Sequence, residues 1–275
     1  MLSIDLTWQH YFEDHHEGLG TTYERFILHQ YFEKIKRKYS VQNIFEAPSF
    51  GMTGISGINS MWWAGQGIPV TLMDDDQERL KLIAQVWKDI GFDVELVYGK
   101  EFDSLPFANG CFDLSWNFAA LGFVRELEEF LKELTRVTRS VIFICLPNRT
   151  NLACIIRSRM AESKSRSMNS IHPLYLRKIM GELNWRIEET GYFDVPPWPD
   201  IAMKKEDLLR DLGLKWLADR LKSKGNDGLC ILNYFSGLNK RMEQEIQKYA
   251  FLEHGPPILK KIWAHHQYFI FVPKK

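Results

Sequence analysis

Polar residues able to do chemistry stand where apolar runs end. Glu46 closes "NIFE" and opens a turn of small residues, Ala47-Pro48-Ser49-Phe50-Gly51-Met52-Thr53-Gly54. Asp74, Asp75 and Asp76 follow "IPVTLM", Glu101 and Phe102 follow "DVELVYG" within a few residues, and Asn117 lies near the end of "CFDLSWNFA". An acid ahead of glycines at 51, 54 and 57 suits a nucleotide-binding turn, and equally a plain loop between a strand and a helix. Which of the two it is depends on whether the fold gathers these groups in one place.

The elements that must do so alternate. "TTYERFILHQYFEKIKRKY" carries Phe26, Ile27, Tyr31, Phe32 and Ile35 at helical spacing. Short strands follow at "NIFEA", "IPVTLMD", "DVELVYG", "CFDLSWNFA" and "SVIFICLP". Helices are expected between them at "GISGINSMWWAG", "DQERLKLIAQVWKDIG" and "VRELEEFLKELTRVT", with Asp76 as an N-cap and Gly91 as a C-cap. Strands alternating with helices imply an α/β, doubly wound, Rossmann-like sheet covered on both faces. Ligands in such sheets bind beyond the carboxyl ends of the strands. Glu46, Asp74, Glu101 and Asn117 all fall there, so they converge on one edge.

The second half is less regular. "PLYLRKIMGELNW" reads as a helix, "RIEETGYFDV" as a sixth strand, "PPWPD" as a rigid turn and "HHQYFIFVPKK" as a last strand. Between them lies a helical stretch with Leu208, Leu209, Leu212, Trp216, Leu217 and Leu221 on one face. The expected division is an N-terminal helical segment or lid at 1–42, a core at 43–200, a helical insertion or cap at 201–262, and a final core strand at 263–275.

Composition narrows the classes. Lysine plus arginine equals aspartate plus glutamate at 35 each, so the basic excess of a duplex-binding protein is missing and nucleic acid is not an expected partner. The four cysteines form no CxxC pair, which argues against a disulfide framework or a structural zinc. The N-terminus lacks a basic-then-apolar signal pattern, and no apolar run reaches the ~18 residues of a membrane helix. A cytoplasmic protein without a membrane span is expected.

The set of motifs resembles the class I S-adenosylmethionine-dependent methyltransferases, in the branch that acts on small molecules. The resemblance runs over residues 20–147 and is carried by the glycine turn, the acid after the second strand, the acid before "SLPF", and "FDLSW". It implies S-adenosyl-L-methionine as cofactor. Glu46, with Ala47 and Pro48 after it, matches the acid that organises the turn near the methionine moiety. Gly51 and Gly54 match glycines that let the backbone approach the cofactor. Asp74 matches the acid that accepts both ribose hydroxyls, and Asp75 can line the same pocket. Glu101 matches the acid facing the adenine amino group, Phe102 its aromatic neighbour, and Asn117 a contact to the methionine end. The sequence departs from the family's E-x-G-x-G-x-G at Pro48, which takes no positive φ and donates no hydrogen bond. A dinucleotide-binding oxidoreductase is the nearest enzymatic rival, but it requires G-x-G-x-x-G to seat a pyrophosphate on a helix, and this turn reads G-x-x-G-x-x-G. A relative that keeps the cofactor fold without catalysis is the other alternative.

A strand-end acid such as Asp74 is expected to be partly solvated, so that its loss spares stability. Tyr23, in the N-terminal segment, is a further candidate to touch the cofactor. His172, His265 and His266 are weak candidates for a general base, needed only if the methyl acceptor is a hydroxyl or an acidic carbon. No metal site is expected, because adjacent histidines rarely point the same way. Trp216, Leu232, Tyr234, Phe235 and Trp263 make the cap aromatic and apolar. That composition suits a small, partly apolar methyl acceptor, or alternatively simple packing or a homodimer interface.

Overall fold

The computed structural model describes residues 8–50, 54–151, 171–197 and 229–274. Seven strands form one sheet: β1 (Ile44–Glu46), β2 (Val70–Asp74), β3 (Glu95–Tyr98), β4 (Phe112–Phe118), β5 (Thr138–Pro147), β6 (Trp185–Phe193) and β7 (His266–Pro273). Their order is β3-β2-β1-β4-β5-β7-β6. The first five run parallel, and β7 lies antiparallel between β5 and β6. Every residue of β1, β2 and β4 is buried, which is why these strands read as unbroken apolar runs. The strand order turns back on either side of β1, so the carboxyl ends of β1 and β4 flank the switch point where such sheets bind ligands.

Helices cover both faces. After the short α1 (His10–Glu13), α2 (Gly18–Lys38), α3 (Met61–Gly65) and α4 (Gln77–Ile90) lie on one, and α5 (Leu127–Val137) and α6 (Pro173–Glu182) on the other. The ends of α4 follow local chemistry. Asp76 accepts from the N–H groups of Glu78 and Arg79 at 2.9 and 3.0 Å, and Gly91 closes the helix at φ 85°. The helix expected over "GISGINSMWWAG" is shorter than its apolar pattern suggests. Gly54 and Gly57 both adopt φ 72° and turn the chain, so helix begins only at Met61.

The boundary expected at residue 42 is not a packing boundary. Phe26, Phe32 and Ile35 of α2 sit in the same apolar cluster as Ile44 and Leu114 of the sheet, so α2 is a core helix rather than a lid. The described part of the expected cap comprises α7 (Ile231–Phe235), α8 (Met242–Gln247) and α9 (Pro257–Trp263). Leu232 joins the α2 cluster, and Tyr234 packs edge-on against Phe26 at 5.0 Å. Phe235 lies 5.8 Å from His29, and Trp263 donates its indole N–H to the Pro196 carbonyl at 2.8 Å. Tyr234 and Phe235 thus pack on α2, as in the packing alternative that the sequence left open. Leu208 to Leu221, including Trp216, lie outside the described residues, as does Gly51.

Candidate active site

The loop after β1 is fastened from all sides. Glu46 is buried, and its Oε2 accepts from Ser60 Oγ at 2.5 Å. Burial pushes its pKa up to about 8, against the opposing pull of Ser60 and Arg25. The Ala47–Pro48 peptide is cis. Asn117, fully buried at the end of β4, donates Nδ2 to the Ala47 carbonyl at 2.9 Å and accepts from Ala120 N–H at 3.2 Å. Its side chain therefore holds the loop rather than reaching for a ligand. Gly54 faces α2: an added Cβ would lie 2.5 Å from Glu17 Oε1 and 2.7 Å from Thr21. Glu17 in turn accepts from Ile55 N–H at 2.6 Å and is paired with the buried Arg25. Here the glycine makes room for the N-terminal helix.

Asp74 departs from expectation. It is fully buried, not partly solvated. Arg79, in the first turn of α4, folds back and donates Nε at 2.9 Å and Nη2 to its Oδ1. Ser49 Oγ donates to Oδ2 at 2.7 Å, and Asp76 N–H to Oδ1 at 3.0 Å. The Arg79 guanidinium lies over Trp8 at 5.1 Å and over Phe50 at 4.7 Å, and also donates to Asp75 at 2.9 Å. Burial, and then the charge of Asp74, raise the pKa of Asp75, whose side chain stays half exposed.

Three cavities follow the carboxyl edge side by side. One of about 250 Å³ is lined by Trp8, Pro48, Phe50, Asp75, Arg79 and Phe102 among others. The next, about 290 Å³, shares Asp75 and Phe102 and adds Tyr98, Lys100, Glu101 and Arg125. The third, about 660 Å³, shares Val124, Arg125 and Glu126 and extends past Leu121, Glu128 and Glu129 to Ile171, His172 and Tyr175. Asp75, Glu101 and Phe102 are thus brought together. Glu101 is half exposed, 3.7 Å from Arg125, beside the buried ring of Phe102. A carboxylate beside an aromatic wall fits the amino group and π-face of a purine. Asp74 offers the oxygens a ribose diol needs, but Arg79 holds Oδ1 and Ser49 holds Oδ2. The donor set therefore fits an adenosyl group once Arg79 yields.

The remaining candidates lie elsewhere. Tyr23 is buried with its hydroxyl donating to Glu253 at 3.0 Å and to the Val195 carbonyl at 3.3 Å, and burial raises its pKa. That commitment to the β6 end removes the reason to place it at the cofactor. His172 caps α6, its Nδ1 accepting from Leu174 N–H at 3.2 Å. In the neutral ring this leaves the proton on Nε2, a donor rather than a base. His265 Nδ1 meets Asp194 Oδ2 at 2.7 Å, and His266 Nε2 meets Glu24 at 2.9 Å. Burial raises the pKa of Asp194, with His265 opposing. Ligand atoms of Glu24, Asp194 and His266 lie within 4.8 Å of one another, a juxtaposition of α2, β6 and β7 with no trace in sequence spacing. Sequence reasoning also missed Arg79 and Trp8. The step of four from Asp75 to Arg79 was a legible helical pair, whereas the contact with Trp8 was not.

Comparison with known proteins bears on the fold and the family. Residues 51–144 match the family model described as a methyltransferase domain. No curated protein sequence matches the chain. Among solved structures, the chain is similar to one in the complex between the Haloferax volcanii Trm112 methyltransferase activator and its methyltransferase candidate, at TM-score 0.53 and 12% identity, covering 98% of both chains. It is also similar to MccD protein, at TM-score 0.52 and 12% identity, over 90% of this chain and 96% of that one. The PH0226 protein from Pyrococcus horikoshii OT3 aligns at TM-score 0.50 and 15% identity, over 61% of this chain and 82% of that one. At these identities the likeness is one of fold. Residues 51–144 thus match a methyltransferase domain, set on a seven-stranded Rossmann-like sheet. No described helix is long and apolar enough to cross a membrane.

Proposed function

We propose that the protein transfers a methyl group from S-adenosylmethionine to a small, partly apolar molecule, with the adenosyl end held by Asp74, Asp75, Glu101 and Phe102. The observation that supports this most is that Asp75 and Phe102 line both of two adjoining cavities and Glu101 joins them in one, next to the strand-end acid Asp74. When bound, the cofactor supplies a methyl already activated on a sulfonium. The chain's own work is to position the acceptor and exclude water. Glu46 and Asn117 contribute indirectly, by fixing the loop after β1. The cavity of about 660 Å³ beside the adenosyl end suits a small-molecule acceptor in size. Leu121, Val124, Leu127 and Ile171 give it an apolar part, and Glu126, Glu128 and Glu129 favour an acceptor that also carries hydrogen-bond donors.

The test is incubation with a methyl-labelled donor and fractionated metabolite extracts. Label transferred to a low-mass product supports the reading. Label found only on macromolecules, or on nothing, contradicts it.

A further inference from the structure

We propose that Arg79 is an internal competitor for the ribose subsite: it occupies Asp74 in the ligand-free protein, and the adenosyl ligand displaces it together with the Trp8–Phe50 clamp. The inference rests on the cofactor reading above.

A carboxylate offers about four lone-pair sites. Asp74 already meets four donors, from Arg79 Nε and Nη2, Ser49 Oγ and Asp76 N–H. Three of these donors crowd Oδ1 and Ser49 takes one lone pair of Oδ2, so the two acceptor sites a vicinal diol needs are not both open, and the residue has no exposed surface through which a diol could approach. Something must leave.

The four donors are not equally movable. Ser49 is tied by its own N–H to the Met73 carbonyl at 3.0 Å, and the Asp76 N–H belongs to the residue that caps α4. Only the Arg79 side chain is long and flexible enough to withdraw. Its exchange for a diol is balanced, since two N–H donors leave and two hydroxyl donors arrive. The guanidinium also has a place to go. Asp75 already accepts from Nη2 at 2.9 Å and is half exposed, so Arg79 can pivot onto it without becoming an unpaired charge.

The clamp couples this step to the N-terminal segment. The Trp8 and Phe50 rings both pack against the guanidinium, at 5.1 and 4.7 Å, and both line the cavity of about 250 Å³ beside Asp75 and Phe102. Phe50 also stacks edge-on against Phe123 at 4.9 Å, across that cavity. When Arg79 leaves, both rings lose their shared partner, and the cavity they line opens toward the ribose position. Trp8 thereby becomes a reporter of cofactor entry, although it lies far from Asp74 in sequence.

The experiment is calorimetry and stopped-flow binding of S-adenosylhomocysteine to the wild type, Arg79→Met, Arg79→Lys and Trp8→Leu, with thermal unfolding of each ligand-free protein. Competition predicts that Arg79→Met lowers the ligand-free unfolding temperature yet tightens binding by roughly tenfold or more, mainly through faster association, because the displaced bonds are charge-assisted. Arg79→Lys should fall between it and the wild type. Trp8→Leu keeps the charge and should speed association alone, which keeps the test decisive if Arg79→Met does not fold. Weaker binding in Arg79→Met or Arg79→Lys would show that Arg79 holds the ligand and would overturn the proposal. Unchanged affinity and rate in all variants would overturn it as well. Absence of binding in the wild type and in every variant would instead overturn the cofactor reading, and the competition with it.

Discussion

Ser60 Oγ donates to Glu46 Oε2 at 2.5 Å and accepts from the Trp116 indole N–H at 3.0 Å, tying the end of β1 to the start of α3 beneath the cofactor loop. This buried carboxyl is neutral over much of the physiological range, because burial lifts its pKa from 4.5 to about 8. A group whose folded-state pKa is raised contributes stability that is fully present below the unfolded value. That stability is lost as pH rises through the folded one. Denaturant midpoints of the wild type should therefore fall between about pH 5 and pH 8.5. Glu46→Gln, which keeps the shape and cannot ionise, should show a shallower fall. Parallel curves for the two proteins would remove Glu46 from the account.

His29 works in the opposite direction. It is buried among Phe26, Phe32, Trp62, Tyr234 and Phe235, and neither ring nitrogen has a hydrogen-bond partner among the described residues. Burial, with Arg25 nearby, lowers its pKa from 6.5 to about 3. Its contribution is present above 6.5 and is lost as pH falls toward 3. His29→Leu should reduce this acid-side loss. Near neutrality it should be neutral or stabilising by up to about 1–3 kcal/mol, since two unpaired polar atoms are removed. Unfolding at matched pH values checks both statements.

Asp74→Ala should destabilise the ligand-free protein by about 3–5 kcal/mol, because it leaves the Arg79 guanidinium uncompensated in a buried site. Adding Arg79→Met to it should recover a large part of that loss. A double-mutant cycle by chemical denaturation measures the coupling. Additive losses would mean that the pair is not a unit.

Gly54→Ala should loosen the N-terminal helix. The left-handed backbone alone costs a residue with a Cβ about 1–2 kcal/mol. The new methyl would also press on Glu17, which holds Ile55 and Arg25. The expected readout is a lower unfolding temperature with faster tryptic cleavage at Arg25. Unchanged cleavage would place the strain elsewhere.

Local chemistry made much of the fold legible. Asp76 and Gly91 bracket α4 through a side-chain cap and a left-handed turn, both written within a few residues. The buried strands read as apolar runs because both their faces are covered. What stayed hidden was tertiary. Glycines 54 and 57 looked like part of a ligand turn, yet they give space to Glu17 and Ile83 respectively. Tyr23 was near the loop in sequence, but its hydroxyl is claimed by Glu253, which lies 230 residues away in the chain. Asp74 was correctly read as a strand-end acid, whereas its burial depends on Trp8, Phe50 and Arg79 meeting from three separate segments.

The central claim is that Asp75, Glu101 and Phe102 receive the adenosyl end of S-adenosylmethionine. Calorimetric titration of the wild type and Glu101→Ala with S-adenosylhomocysteine and with NAD tests it most directly. The account predicts one-to-one binding of S-adenosylhomocysteine to the wild type and no response to NAD. Loss of the charge-assisted contact in Glu101→Ala should weaken binding roughly tenfold. Binding of NAD with no response to the adenosyl ligand, or unchanged affinity in Glu101→Ala, would contradict it.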